Sequence, residues 1–212
     1  MIDTHNFCKN SYELLAKRLL EYSRPEEFGI LEHRDRPDLV SVANDIGIEV
    51  TRAMFPGDGE AQGLLERFKG KRLEDVKPSA LQLMKQKGYK FFVHNGRIGG
   101  YMPAEGMWVS LKPLEQIYTR KIEKLKDYPQ HKENDLFIFS PSFHYYESND
   151  LIEFTHWMRS QNADKSFVYN RVFVFDEPVL YMCNASIMSM KQYPFPQNVL
   201  NQLCQEVLEL SK

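Results

Sequence analysis

Two acidic side chains on neighbouring predicted strands are the residues of this chain best suited to do chemistry. Asp38 stands at the start of one short apolar run, and Glu49 lies within a second run, Ile46–Thr51. Asn44–Asp45 supplies turn residues between the runs, which predicts an antiparallel hairpin. Two short strands joined by a tight turn would bring the two carboxylates close together.

The chemistry predicted for this pair is binding of a divalent ion. Side chains alternate across a strand, so Gly47, Glu49 and Thr51 share one face while the residues between them face the core. Two carboxylates in a partly buried site repel each other unless a cation neutralises them. Mg²⁺ binds through one or two carboxylates and keeps its other positions for water or phosphate oxygens, an arrangement suited to phosphodiester hydrolysis. We therefore expect Asp38 and Glu49 to bind Mg²⁺ (or Mn²⁺).

The elements that must position this pair follow from hydrophobic periodicity. A helix is predicted over Ser11–Tyr22 and a first short strand over Phe28–Leu31, while Phe55–Gly63 and Gly99–Met107 are predicted as loops. Asn95–Gly96 predicts a hairpin turn. Further helices are predicted over Leu64–Phe68, Ser79–Lys87, Leu114–Tyr128, Asp150–Arg159 and Asn198–Leu210, and further strands over Pro37–Val42, Tyr89–His94, Leu136–Phe139, Arg171–Phe175 and Val179–Met182. This order predicts an α/β fold with helices on a central mixed sheet.

The sequence resembles the PD-(D/E)XK nuclease superfamily, which has the restriction-endonuclease-like fold. The resemblance rests on Pro37-Asp38 followed by Glu49-x-Thr51 on a hairpin, with a helix before it and a helix and a strand after it. It covers roughly residues 11–140. It implies an αβββαβ core, a central mixed sheet flanked by helices, to which this chain adds a C-terminal hairpin and helix.

The resemblance also implies an activity and a set of site residues. It implies a Mg²⁺-dependent phosphodiesterase in which Asp38 and Glu49 bind the metal. It further implies an acidic residue on the preceding helix that can complete the metal site. Glu13 is the candidate for that third ligand, because it borders the apolar face of the predicted first helix whereas Glu21 lies opposite it.

Thr51 stands where the superfamily has a lysine. That lysine orients or helps deprotonate the attacking water and neutralises charge that develops in the transition state. Arg52 points to the other face of the strand and cannot simply replace it. Thr51 can contribute a hydroxyl group, but the missing cation must come from another element.

Lys121 is the candidate replacement for that lysine. It falls in the middle of the apolar stripe of the predicted helix Leu114–Tyr128. A buried lysine costs several kcal/mol unless it meets an anion, and Asp38 and Glu49 are the anions available. The resemblance also implies a precedent for this displacement, because some members of the superfamily carry the lysine on the following helix. The alternative is that Lys121 extends from the helix edge to solvent.

A local surplus of positive charge indicates a phosphate-binding surface. Within Leu64–Lys90 eight Lys and Arg stand against three Asp and Glu, although the whole chain carries a net charge of −2. We expect Lys69, Lys71, Arg72 and Lys124 to contact nucleic acid, with DNA preferred over RNA as the partner. A solvated helix face is the alternative. The modest net charge argues against coating of nucleic acid by bulk charge.

Length and composition bound the organisation of the chain. Its 212 residues predict a single nuclease-like domain over 1–212, with an insertion at about 55–112 and a C-terminal extension at about 141–212. The chain lacks both a run of roughly 18 apolar residues and the layout of a signal peptide, so we expect a cytoplasmic protein without a membrane partner. Three scattered cysteines indicate neither a disulfide framework nor a zinc site. A homodimer is compatible with the sequence.

The leading functional hypothesis is a Mg²⁺-dependent nuclease that cleaves DNA or RNA, either internally or from an end. The alternative is the same fold without catalysis, acting as a nucleic-acid-binding or protein-interaction module, and Thr51 in the lysine position favours it. A third hypothesis, an α/β domain with a small-molecule role, stays open because residues 141–212 carry no recognised motif.

Overall fold

The chain divides into two compact units in a computed structural model that describes residues 9–54, 57–104, 110–140 and 145–210. The first unit runs to Ala53 and takes in Leu114–Ser140 and the chain from Tyr146 onward. The second consists mainly of Met54–Pro113. Its range is close to that of the insertion expected at about 55–112.

Helices and strands alternate along the described residues. The helices are α1 (Lys9–Ser23), α2 (Pro25–Phe28), α3 (Asp58–Phe68), α4 (Pro78–Gln86), α5 (Lys112–Lys124), α6 (Ser148–Asn162) and α7 (Gln197–Leu210). The strands are β1 (Glu32–His33), β2 (Leu39–Ser41), β3 (Ile46–Arg52), β4 (Tyr89–His94), β5 (Arg97–Pro103), β6 (Glu133–Phe139), β7 (Arg171–Asp176), β8 (Val179–Asn184) and β9 (Ser189–Pro194). None of these helices is long and apolar enough to cross a membrane.

The first unit is built on a seven-stranded mixed sheet with the order β1-β2-β3-β6-β7-β8-β9. β3, β6 and β7 run parallel, and the strands on both sides of them join in antiparallel pairs. Helices flank the sheet, and α1 and α7 pack their apolar stripes into the main core on one face. The structure confirms the predicted α/β class with helices on a central mixed sheet.

The predicted hairpin of Asp38 and Glu49 is formed by β2 and β3. Ile48 and Val50 are buried in the core beneath α1, so the alternate residues of β3 face the other side of the sheet. Gly47 is needed there, because a Cβ at this position would collide with the ring of His131 and lie 2.9 Å from Pro37 Cγ. The backbone of β3 therefore lies close to its neighbours just before Glu49.

The second unit packs α3 and α4 against one face of the β4–β5 hairpin. Its core contains Leu65, Met84 and Tyr89 together with neighbouring apolar residues. Asn95 and Gly96 both adopt positive φ angles, 50° and 72°, as the central residues of a tight hairpin turn do. The hairpin turn predicted from Asn95–Gly96 is confirmed.

Three local predictions are wrong. Phe28–Leu31 was expected to be a strand, but Pro25 occupies the first turn of α2, which ends at Phe28, and β1 begins only at Glu32. The loop expected over Phe55–Gly63 is helical from Asp58 onward, because packing of the α3 side chains outweighs its glycines. Residues 55–56 lie outside the described ranges.

The third concerns the loop expected over Gly99–Met107. The chain is a strand as far as Pro103, because β4 supplies hydrogen-bonding partners along it. Residues 105–109 lie outside the described ranges.

Candidate functional site

Asp38 and Glu49 lie side by side at the start of the β2–β3 hairpin. Leu39 pairs with Ile48, so the register continued by one residue sets Asp38 opposite Glu49. Asp38 Oδ2 accepts a hydrogen bond of 2.7 Å from the backbone N–H of Val50. Both acidic residues are buried, with exposures of 4% and 7%. The structure therefore brings together the two carboxylates that the sequence paired.

Lys121 reaches this pair from α5. The stripe that carries it is buried at Leu114, Ile117 and Tyr118, as its spacing predicts. Lys121 Nζ forms an ion pair with Glu49 Oε1, and its side chain is only 15% exposed. Lys121 thus meets an anion instead of extending to solvent. Pairing of this kind offsets the cost of removing both charges from water.

Two tyrosines, Tyr128 and Tyr169, lie near the carboxylates of Asp38 and Glu49. The hydroxyl of Tyr128 donates a hydrogen bond of 3.3 Å to Glu49 Oε1, the oxygen that Lys121 also contacts. Burial raises the pKa of Tyr128 and of Tyr169, and the charges of Glu49 and Asp38 raise both further. The charges of both carboxylates therefore act on each tyrosine.

Neither tyrosine is among the site residues predicted from the sequence. In the helix predicted over Leu114–Tyr128, Tyr128 falls on the same apolar stripe as Lys121, and that spacing was a usable signal. In the structure α5 ends at Lys124, and a 3₁₀ turn, Leu125–Asp127, leads to Tyr128. Tyr169 precedes β7 without any pattern that links it to Glu49, so no sequence signal would have found it.

Glu13 is placed on α1, where it is 5% exposed. Its Oε2 lies 2.5 Å from Nε2 of His33 in a hydrogen bond. His33 belongs to β1 and pairs with Leu39, the residue after Asp38. The structure thus pairs Glu13 with a histidine on β1, the strand next to β2. The role of Glu13 as a third metal ligand stays a prediction.

The two carboxylates offer a limited but suitable donor set for a hard divalent ion. Within the described residues, no group of three or more His, Cys, Asp and Glu side chains is arranged to hold a metal. Asp38 and Glu49 supply two carboxylates, which is what Mg²⁺ uses when water and phosphate fill its other positions. Lys121 and Tyr128 both contact Glu49 through Oε1. With two carboxylates as its protein ligands, the donor set fits an ion whose other positions are filled by water or phosphate oxygens.

The cation beside Glu49 comes from α5 and not from β3. Thr51 is half-buried on the Glu49 face of β3. Arg52 lies with its guanidinium 4.5 Å from the centre of the Tyr12 ring and donates a hydrogen bond to the Tyr12 hydroxyl. Arg52 therefore contacts α1, on the face of β3 opposite Glu49, as strand alternation predicts.

The basic residues expected to contact nucleic acid are all exposed. Lys69, Lys71 and Arg72 belong to the second unit, and Lys124 follows Lys121 by three residues in α5. Arg72 forms a surface ion pair of 2.9 Å with Glu74, an interaction that contributes little to stability. Exposure leaves these side chains accessible to a phosphate backbone, and their role as contacts stays a prediction.

Comparison of the chain with protein-family models, with curated proteins and with solved structures found no match in any of the three.

Proposed function

We propose that this protein is a metal-dependent phosphodiesterase that cleaves nucleic acid, DNA or RNA. The observation that carries the proposal is the contact of Lys121 with Glu49 beside Asp38. Two buried carboxylates and a lysine whose side chain is only 15% exposed, supplied by three separate segments, come together here. The free-energy cost of burying such charges favours a chemical role for them over packing alone.

The element order supports a restriction-endonuclease-like core as part of this proposal. α1 and the short α2 are followed by β1, β2 and β3, and after the second unit by α5 and β6, which runs parallel to β3. Apart from α2 and the second unit, this order agrees with the αβββαβ core that the sequence resemblance implies. Strands β7 to β9 and helices α6 and α7 are then additions at the C-terminal side.

The roles of the residues follow from their chemistry. Asp38 and Glu49 would hold the divalent ion. When bound, such an ion would polarise a phosphoryl oxygen and lower the pKa of a water molecule on it. Lys121 is placed to orient the attacking water or to stabilise negative charge on a phosphoryl oxygen. Tyr128 holds the Glu49 carboxylate through Oε1, and the Thr51 hydroxyl lies on the same strand face. Lys69, Lys71, Arg72 and Lys124 would contact the phosphate backbone.

Metal-dependent cleavage tests the proposal. We expect the purified protein to degrade plasmid or oligonucleotide DNA with Mg²⁺ or Mn²⁺ and to lose that activity completely in excess EDTA. A Glu49→Ala preparation purified in parallel measures contaminating nuclease. Equal degradation by the two preparations, or activity that survives EDTA, would overturn the enzymatic proposal.

The second candidate function is a nucleic-acid-binding or protein-interaction module on the same scaffold. The observation that favours it is Thr51 at the strand position of the lysine. This candidate predicts a wild-type protein that binds no Mn²⁺ and cleaves neither DNA nor RNA. A scaffold without catalysis has no reason to keep a carboxylate pair that binds this ion.

A further inference from the structure

One face of the β4–β5 hairpin is exposed and carries an aromatic ring between cations. Lys90, Phe92 and His94 alternate along β4 and all three are exposed, with Phe92 at 47%. Across the hairpin Phe92 pairs with Gly100, and His94 pairs with Arg97. The opposite face of the hairpin packs on the core of the second unit. A large apolar ring is thus held in solvent by a pair of hydrogen-bonded strands.

The β5 surface beside this ring consists of backbone. A Cβ added to Gly99 or to Gly100 would lie 3.9 Å from Phe92, in ordinary van der Waals contact. Either site has room for a side chain that would cover the ring, and the chain has glycine at both. Glycine in a strand often marks a place where another molecule approaches closely. The two glycines leave the Phe92 ring accessible from the β5 side.

Charge identifies the class of partner. Residues 54–113 contain ten Lys and Arg against six Asp and Glu, a surplus of four in a chain whose net charge is −2. Arg97 Nη1 donates a hydrogen bond of 2.7 Å to the carbonyl oxygen of Gly70, which fixes the guanidinium at the edge of the hairpin. A second copy of this surface would bring like charges together. An anionic partner with flat apolar rings satisfies both the cations and Phe92.

We propose that the exposed face of the β4–β5 hairpin binds single-stranded nucleic acid. Phe92 stacks on an unpaired base, and Lys90 and Arg97 contact the flanking phosphates. A duplex keeps its base faces stacked on each other and offers none to Phe92. The inference rests on the proposed function only where it takes the bound nucleic acid to be the substrate. In that case the substrate is single-stranded or has a single-stranded part.

Binding without cleavage tests this surface. Fluorescence anisotropy with the full-length chain in EDTA measures affinity for a labelled oligothymidylate and for a duplex of the same length. We expect the single strand to bind more tightly, and Phe92→Ala to weaken its binding about tenfold or more. Phe92→Trp should retain it. Lys90→Ala should weaken binding less and reduce its dependence on salt.

Phe167→Ala is the matched control, since Phe167 is also exposed, at 43%, but belongs to the first unit. It should bind the single strand like the wild type. The inference is overturned if Phe92→Ala binds like the wild type, if Phe167→Ala loses as much affinity, or if the duplex binds as tightly as the single strand.

The test separates this surface from the metal site. Phe92-dependent binding without any metal-dependent cleavage would support the surface and refute the proposed activity. Cleavage with Mn²⁺ but binding indifferent to Phe92 would support the activity and refute the surface.

Discussion

Lys121→Met should lower the rate of metal-dependent cleavage by about 10²–10³-fold, the usual loss when one charge-stabilising donor is removed from a transition state. Mn²⁺ affinity should be retained or increased in the same variant, because Lys121 no longer neutralises the Glu49 carboxylate that would hold the ion. Single-turnover cleavage and calorimetric titration measure the two quantities. A large loss of rate with retained or increased metal affinity is not expected from a lysine whose role is only structural.

Lys124→Met is the matched control for this experiment. Lys124 lies one helical turn after Lys121 in α5 and is exposed. It should keep the single-turnover rate within a few-fold of the wild type, with the loss appearing in substrate affinity. A Lys121→Met protein that cleaves at the wild-type rate would remove Lys121 from the catalytic mechanism.

Arg171→Met should lower the free energy of unfolding by about 3–5 kcal/mol at pH 7.5, the cost of leaving a buried charge without its partner. Arg171 is 7% exposed, and its Nη2 lies 2.6 Å from Oδ2 of the fully buried Asp135. The same guanidinium pairs with Glu133 at 2.9 Å and with Glu27. Arg171 therefore contacts three acids, Glu133 and Asp135 at the start of β6 and Glu27 of α2, the last of which also pairs with Arg24.

The deficit of Arg171→Met should shrink as the pH is lowered toward 5. Burial already raises the pKa of Asp135 to about 6, although Arg171 acts in the opposite direction. Without Arg171, burial and the charges of Glu133 and Glu27 raise that pKa further. An acid with a higher pKa in the folded state binds a proton on folding, so stability falls as the pH rises through its folded pKa. Acidification therefore relieves the uncompensated charge.

Urea unfolding at both pH values measures these changes. Arg34→Met is the control, because Arg34 pairs with Glu32 at the surface and its side chain is 49% exposed; it should change stability by less than about 0.5 kcal/mol. The double variant Arg171→Met/Asp135→Leu should recover part of the loss. A loss under 1 kcal/mol at pH 7.5, or a deficit that grows on acidification, would contradict this account of the network.

Local patterns predict much of the architecture of the first unit. The hairpin of β2 and β3 follows from two apolar runs around Asn44–Asp45, and the β7–β8 hairpin from two more. Each hairpin depends on contacts between residues that are close in sequence, and local hydrophobic patterns predict such contacts. The sequence does not predict β9, because its six residues, Ser189–Pro194, include three polar ones and no clear apolar alternation, and it becomes a strand by pairing with β8 at the sheet edge.

The candidate site was predictable in part for the same reason. Strand alternation placed Glu49 on the face away from the core, and helical periodicity singled out Lys121 as a charge in an apolar stripe. The contact of Tyr169 with the backbone of Lys121 depends on the packing of β7 beside β6, which no local pattern encodes. The ion network of Arg171 likewise joins residues from α2, β6 and β7, so its members are unrelated in sequence.

Calorimetric titration with Mn²⁺ is the most direct measurement of whether Asp38 and Glu49 form a metal site. The wild-type protein should bind one Mn²⁺, and Asp38→Asn and Glu49→Gln should each weaken binding at least about tenfold, since each removes one of two anionic ligands. Glu32→Gln, which changes an exposed acid on β1, should bind Mn²⁺ like the wild type. No binding heat from the wild type, or equal affinity in Glu49→Gln, would contradict the proposed site.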